Sequence, residues 1–135
     1  MADGIHDQEF RALIVDDDNF ILRLFSTALI REGFLCDCAE NGDAAWRLAA
    51  EHPYDVVVTD LSMPERNGHS LAVDLLSLPD RPLVVVVTGL PDPRMVKDLI
   101  ARGVDDIVFK PVAVPLFAAK IRALVNRRRL AVSAT

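Results

Sequence analysis

Short β-branched runs alternate along the chain with stretches of helical spacing. The runs are Leu13-Ile14-Val15, Val56-Val57-Val58, Val84 to Val87 and Ile107-Val108-Phe109, with a weaker one from Phe34 to Cys38. Each is apolar on both faces, the pattern of a strand covered on both sides in a parallel sheet. Between the runs, Phe20, Ile21, Leu24, Phe25, Ala28 and Leu29 recur at helical intervals and predict one apolar stripe. Ala44, Ala45, Leu48 and Ala49 do the same, as do Leu71 with Leu75, and Met95, Val96, Leu99 and Ile100. A last helix should bury Phe117, Ile121, Leu124 and Val125. Gly33 and Gly103 stand where C-capping glycines are expected, and Pro115 suits a first helical turn. The sum is βαβαβαβαβα, which predicts an α/β fold of three layers: a doubly wound, five-stranded parallel sheet with helices on both faces.

Length and composition narrow the class. At 135 residues the chain fits one domain with a core of its own. The alternation occupies residues 11–126, which predicts that segment as the domain, 1–10 as an N-terminal extension and 127–135 as a basic tail or linker. A hydrophobic content of 51% excludes disorder as the main state. The longest strongly apolar run, Leu83 to Val87, is far short of the roughly 18 residues that a membrane span needs. No charged-then-apolar leader opens the chain, and Cys36 and Cys38, one residue apart, form neither a disulfide framework nor a paired zinc motif. The expected compartment is therefore the reducing cytoplasm. The net charge of −5 argues against nucleic acid as a direct partner, and Arg127-Arg128-Arg129 reads as a solvated helix end. His6, His52 and His69 are far apart with no ligand spacing, no glycine-rich nucleotide loop is present, and Trp46 should rest half-buried.

The polar residues gather at strand ends. The first strand runs into Asp16-Asp17-Asp18, the third into Asp60, the fourth into Thr88 and the fifth into Lys110. Sites in open parallel sheets lie beyond the carboxyl ends of the strands, where the strand order reverses. In the order 2-1-3-4-5, strands one and three are neighbours, so Asp16, Asp17 and Asp60 meet in one cleft with Thr88 beside them and Lys110 across. Three carboxylates that close cannot all stay ionised unaided; either one keeps a proton or a hard dication sits among them. Magnesium suits such oxygen ligands, and Lys110 with Thr88 suits a bound phosphate.

Val15-Asp16-Asp17, then Asp60-Leu61-Ser62-Met63-Pro64 with Gly68, then Thr88-Gly89 and Lys110-Pro111, resembles the receiver domain of two-component response regulators, of the chemotaxis-regulator kind, from Arg11 to Asn126. The resemblance implies a flavodoxin-like (βα)5 fold and a signalling domain rather than an enzyme. It implies that Asp60 accepts a phosphoryl group from a sensor histidine kinase or a histidine phosphotransferase, with Lys110 and Thr88 holding the phosphoryl oxygens. It further implies Mg²⁺ as cofactor, held by Asp16, Asp17, Asp60 and the backbone carbonyl of Ser62. An output domain or target protein would receive the signal, homodimers are common in the family, and neither membrane nor nucleic acid is a direct partner of such a domain.

One position departs from the pattern. Three residues before the lysine, where many receivers carry Tyr or Phe, stands Ile107, and Phe109 should point to the same side of the strand. Two other readings compete. Asp16-Asp17-Asp18 contains the Asp-x-Asp of haloacid-dehalogenase-like phosphatases, with Asp16 as nucleophile and Asp18 as acid–base. That family favours Thr or Val where this chain has Phe20, and it leaves Asp60 unexplained. The second is a receiver-like interaction module that makes no use of phosphate.

Overall fold

A computed structural model describes residues 9–61, 63 and 67–134, with backbone alone for 133 and 134. Ser62 and Pro64 of the motif, His6 and most of the expected N-terminal extension lie outside the described residues. The predicted runs form strands β1 (Phe10–Val15), β2 (Phe34–Ala39), β3 (Val56–Thr59), β4 (Leu83–Thr88) and β5 (Asp106–Phe109). They pair in parallel, as the alternation predicts, and their order is β2-β1-β3-β4-β5. Helices α1 (Asn19–Arg31), α2 (Gly42–Glu51), α3 (Gly68–Leu76), α4 (Pro93–Ala101) and α5 (Val114–Ala134) connect and follow them.

Alternate residues of the same strands feed two cores, which is what makes the molecule three-layered. Ala12, Ile14, Val56, Val58, Val85 and Val87 pack with Leu22, Phe25 and Leu29 of α1 and Phe117, Ile121 and Val125 of α5. Leu13, Val15, Val57, Val84 and Val86 pack on the other face with Ala45 of α2, Leu71 and Leu75 of α3, and Leu99 of α4. Trp46 lies partly buried against this second core, as expected. Gly33 and Gly103 do end α1 and α4 at positive φ, +96° and +88°, where a side chain is strained.

The expected stripe on α1 is out of phase with the buried one. Leu22 joins Phe25 and Leu29 in the core, whereas Phe20 is 69% exposed and Leu24 also faces out. Apolar residues occupy more than half of the circumference, so spacing alone does not choose which arc meets the sheet. Ile100 of α4 is likewise exposed, leaving Leu99 as that helix's fully buried residue.

The arginine run is not a solvated helix end. Helix α5 continues through it to Ala134, and two of the three arginines are pinned to the base of the sheet. Arg129 grips Asp55 through Nη2 at 2.8 and 2.9 Å and Nε at 3.1 Å, and lies over the Phe10 ring at 4.4 Å. Arg128 donates to the carbonyl of Arg81, whose own guanidinium pairs with Asp105 at 2.8 Å. Asp55 and Asp105 also accept the backbone N–H groups of Arg11 and Val84, both at 2.7 Å, so each closes the start of a strand ladder.

Candidate functional site

The opposite end of the sheet collects the residues singled out by the sequence. Strand pairing sets their places: the N–H of Asp60 donates to the carbonyl of Val15 at 3.1 Å, and that of Lys110 to the carbonyl of Thr88 at 2.9 Å. Asp16 directly follows β1, Asp60 follows β3 and Lys110 follows β5, while Thr88 ends β4. Gly68, the first residue of α3, lies against the main chain of Asp60; a Cβ there would sit 1.6 Å from the Asp60 carbonyl oxygen. Asp18 is the N-cap of α1, its carboxylate accepting the N–H of Phe20 at 2.9 Å.

Asp16, Asp17 and Asp60 offer carboxylate oxygens within 4.8 Å of one another, graded from buried Asp16 to exposed Asp17. The ammonium of Lys110 is 3.3 Å from Asp16 Oδ2 and 3.6 Å from Asp60 Oδ2. Asp16 is only 4% exposed, and its other oxygen accepts the N–H of Asp18 at 2.9 Å. Burial raises the Asp16 pKa above the usual carboxylate value, a shift that Asp60 reinforces and that the Asp18 N–H and Lys110 oppose. Thr88 is 1% exposed, yet its hydroxyl has no hydrogen-bond partner among the described residues. Such a group normally finds one. Asp60, Thr88, Gly89, Leu90 and Lys110 line a cleft of about 170 Å³.

Three carboxylates against one ammonium leave an excess of negative charge, and the donors are all hard oxygens. That set fits a small divalent cation such as Mg²⁺. The cluster also has a stability consequence. An acid whose folded-state pKa is raised binds its proton more tightly folded than unfolded, so stability falls as pH climbs from its unfolded pKa through the raised one. In EDTA, Asp16→Asn is therefore expected to stabilise the protein near neutral pH, by about 0.5–2 kcal/mol, the range of single relieving substitutions. Urea midpoints across pH check this; a wild type as stable as the variant at pH 7 contradicts it.

The phosphatase alternative fits this geometry poorly. The carboxylate of Asp18, which that reading needs as acid–base, is occupied as a helix cap, accepting the N–H of Phe20 at 2.9 Å.

Residues 12–122 match the family profile of the response regulator receiver domain. The chain belongs to that family. Receiver domains of this family are signalling modules. The chain is 36% identical over 119 residues to the transcriptional regulatory protein KdpE of Mycobacterium tuberculosis, covering 88% of this chain and 52% of that protein. It is 36% identical over 101 residues to the regulatory protein AtoC of Escherichia coli, covering 75% of this chain and 22% of that one. It thus spans about half the length of KdpE and less of AtoC. Among solved structures, a CheY-like receiver domain protein from Methanospirillum hungatei superposes with a TM-score of 0.85 at 23% identity, over 90% of this chain and 98% of that one. That likeness bears on the fold. No helix among the described residues is long and apolar enough to cross a membrane.

At the departure from the usual pattern, Ile107 and Phe109 line the same groove beneath α4, the shared side expected of residues two apart in a strand. Phe109 is the register partner of Thr88 and is 53% exposed. Two features of the site were not read from the sequence. One is the closeness of Gly68 to Asp60, for which the glycine at that spacing was the available signal. The other is Leu90 on the rim of the cleft, for which there was none.

Proposed function

We propose that Asp60 accepts a phosphoryl group from a phosphohistidine on a sensor kinase or a phosphotransferase, and that the change of charge in the cleft switches the domain. The observation that carries this reading is the cleft itself. Asp60 lines it, facing the same space as the ammonium of Lys110 and the Thr88 hydroxyl that has no partner among the described residues. An Asp60 oxygen attacks phosphorus, the P–N bond breaks, and the histidine nitrogen leaves with the electron pair and takes a proton from solvent. Lys110 then bears on the new phosphoryl oxygens, and Thr88 gains the acceptor that it lacks. Such a transfer asks chiefly for positioning and charge neutralisation. Asp16, Asp17 and Asp60, with the Ser62 carbonyl implied by the family resemblance, would hold Mg²⁺, which when bound offsets charge on the phosphoryl group. The added charge biases a two-state element, the general logic of phosphorylation switches. The receiving output domain or target protein, homodimerisation and a cytoplasmic setting belong to the same reading. Within it, residues 11–126 are the receiver, 1–10 an extension and 127–135 a basic tail or linker, whose residues through Ala134 continue α5.

The test is intact-protein mass after incubation with Mg²⁺ and a phosphodonor, first acetyl phosphate and then a phosphohistidine protein. Wild type should gain one phosphoryl group; Asp60→Asn, or wild type in EDTA, should gain none. Failure of wild type with both donors would instead favour the phosphate-independent interaction module.

A further inference from the structure

Helix α4 is joined to α3 by a polar bridge. His69 Nε2 is 2.8 Å from Asp98 Oδ2, and the same oxygen accepts the Nε–H of Arg102 at 2.9 Å. His69 is the second residue of α3, next to the Gly68 that lies against the main chain of Asp60. Asp98 and Arg102 belong to α4 and its C-cap. At its other end α4 starts from the N-cap Asp92, four residues after Thr88. The bridge therefore ties an element fixed to the backbone of Asp60 to the element that continues from Thr88. We propose that His69–Asp98–Arg102 is a latch that holds α4, and with it the Thr88 loop, in its present position, and that phosphorylation of Asp60 works against it.

Three observations support this reading, which rests on Asp60 being the phosphoacceptor. First, α4 is lightly anchored by apolar contact: Leu99 is its fully buried residue, whereas α3 buries Leu71, Ala72 and Leu75. A polar tie then carries a larger share of what fixes α4. Second, the Thr88 hydroxyl is buried without a partner among the described residues, so an acceptor appearing on Asp60 gives Thr88 a reason to shift, and α4 follows it in the chain. Third, Arg102 sits one turn from Asp98 on the same helix and holds the carboxylate in the orientation that meets His69. The His69 bond, and then Arg102, keep the Asp98 carboxyl below the usual range, so the acceptor stays ionised.

Coupling is reciprocal. A contact made in the unphosphorylated arrangement and lost in the other lowers affinity for whatever selects the other. Beryllofluoride with Mg²⁺, a stand-in for the phosphoryl group, is the probe, titrated by calorimetry into wild type, His69→Ala, Asp98→Ala, the double variant and His69→Gln. His69→Ala and Asp98→Ala should each tighten binding about two- to fivefold, the scale of a partly exposed ion pair. The double variant should be no tighter than either, and His69→Gln, which keeps a donor, should stay closer to wild type. Hydrogen exchange without ligand should quicken at residues 93–101 in both alanine variants while β1 and β3 stay unchanged. Unchanged or weaker binding, or effects that multiply in the double variant, overturns the latch. A purely structural tie would lower thermal stability without tightening binding. If wild type fails to bind beryllofluoride, the phosphoacceptor reading falls instead. In that case, unchanged exchange at 93–101 in His69→Ala would overturn the mechanical half of the latch by itself.

Discussion

Gly68→Ala is expected to cost about 3–5 kcal/mol of stability and to abolish phosphoryl uptake at Asp60. The added Cβ would sit 1.6 Å from the Asp60 carbonyl oxygen, 2.6 Å from its carbonyl carbon and 2.9 Å from the Cα of Leu61. All three are backbone atoms, so no rotamer change relieves the overlap. Either the main chain of Asp60 leaves its place beside Asp16 and Lys110, or the start of α3 lifts, with Leu71, from the core below. The Gly68 N–H, which donates to the carbonyl of Leu61 at 3.0 Å, goes with it. The demand is for space, since Gly68 is not among the residues with positive φ. Denaturant unfolding and phosphoryl labelling of the same sample read both halves. A variant with wild-type midpoint and wild-type labelling would show that α3 can retreat freely from Asp60.

The second large effect lies at the other end of the sheet. Asp55→Ala is expected to cost about 2–4 kcal/mol, because it strands two partners at once. The guanidinium of Arg129 loses its paired carboxylate, and the Arg11 N–H at the start of β1 loses its acceptor. Arg129→Ala should cost less, since Asp55 keeps the backbone N–H of Arg11 as a donor. The double variant should be only slightly worse than Asp55→Ala, the non-additivity expected of residues in contact. Urea midpoints for the three proteins decide it. Additive costs would mean that the pair contributes nothing as a pair.

Much of the fold and the cleft was legible because the relevant signals are local. Every strand but β2 carries β-branched residues, each site residue sits where its run stops, and parallel pairing brings those stops together. Asp16, Asp17, Asp60, Thr88 and Lys110 could be placed in one cleft without knowing a single contact. What escaped was set by partners distant in sequence. Arg128 and Arg129 looked like a solvated end because Arg81 and Asp55 lie 47 and 74 residues away. His69 carried no ligand spacing, and its partner Asp98 is 29 residues on. The phase of the α1 stripe, with Phe20 outside and Leu22 inside, depends on which arc meets the sheet rather than on spacing.

The base of the sheet, where paired arginines and aspartates close the strand ladders, makes the domain a cantilever. One end is clamped by ion pairs that also grip the last helix; the other carries mutually repelling carboxylates and a hydroxyl awaiting an acceptor. A load applied at the free end bends what is compliant there and leaves the root still. Anything carried beyond the clamped Arg128 and Arg129 on that helix would then be aimed by the root as on a fixed mount, rather than swung as on a leash.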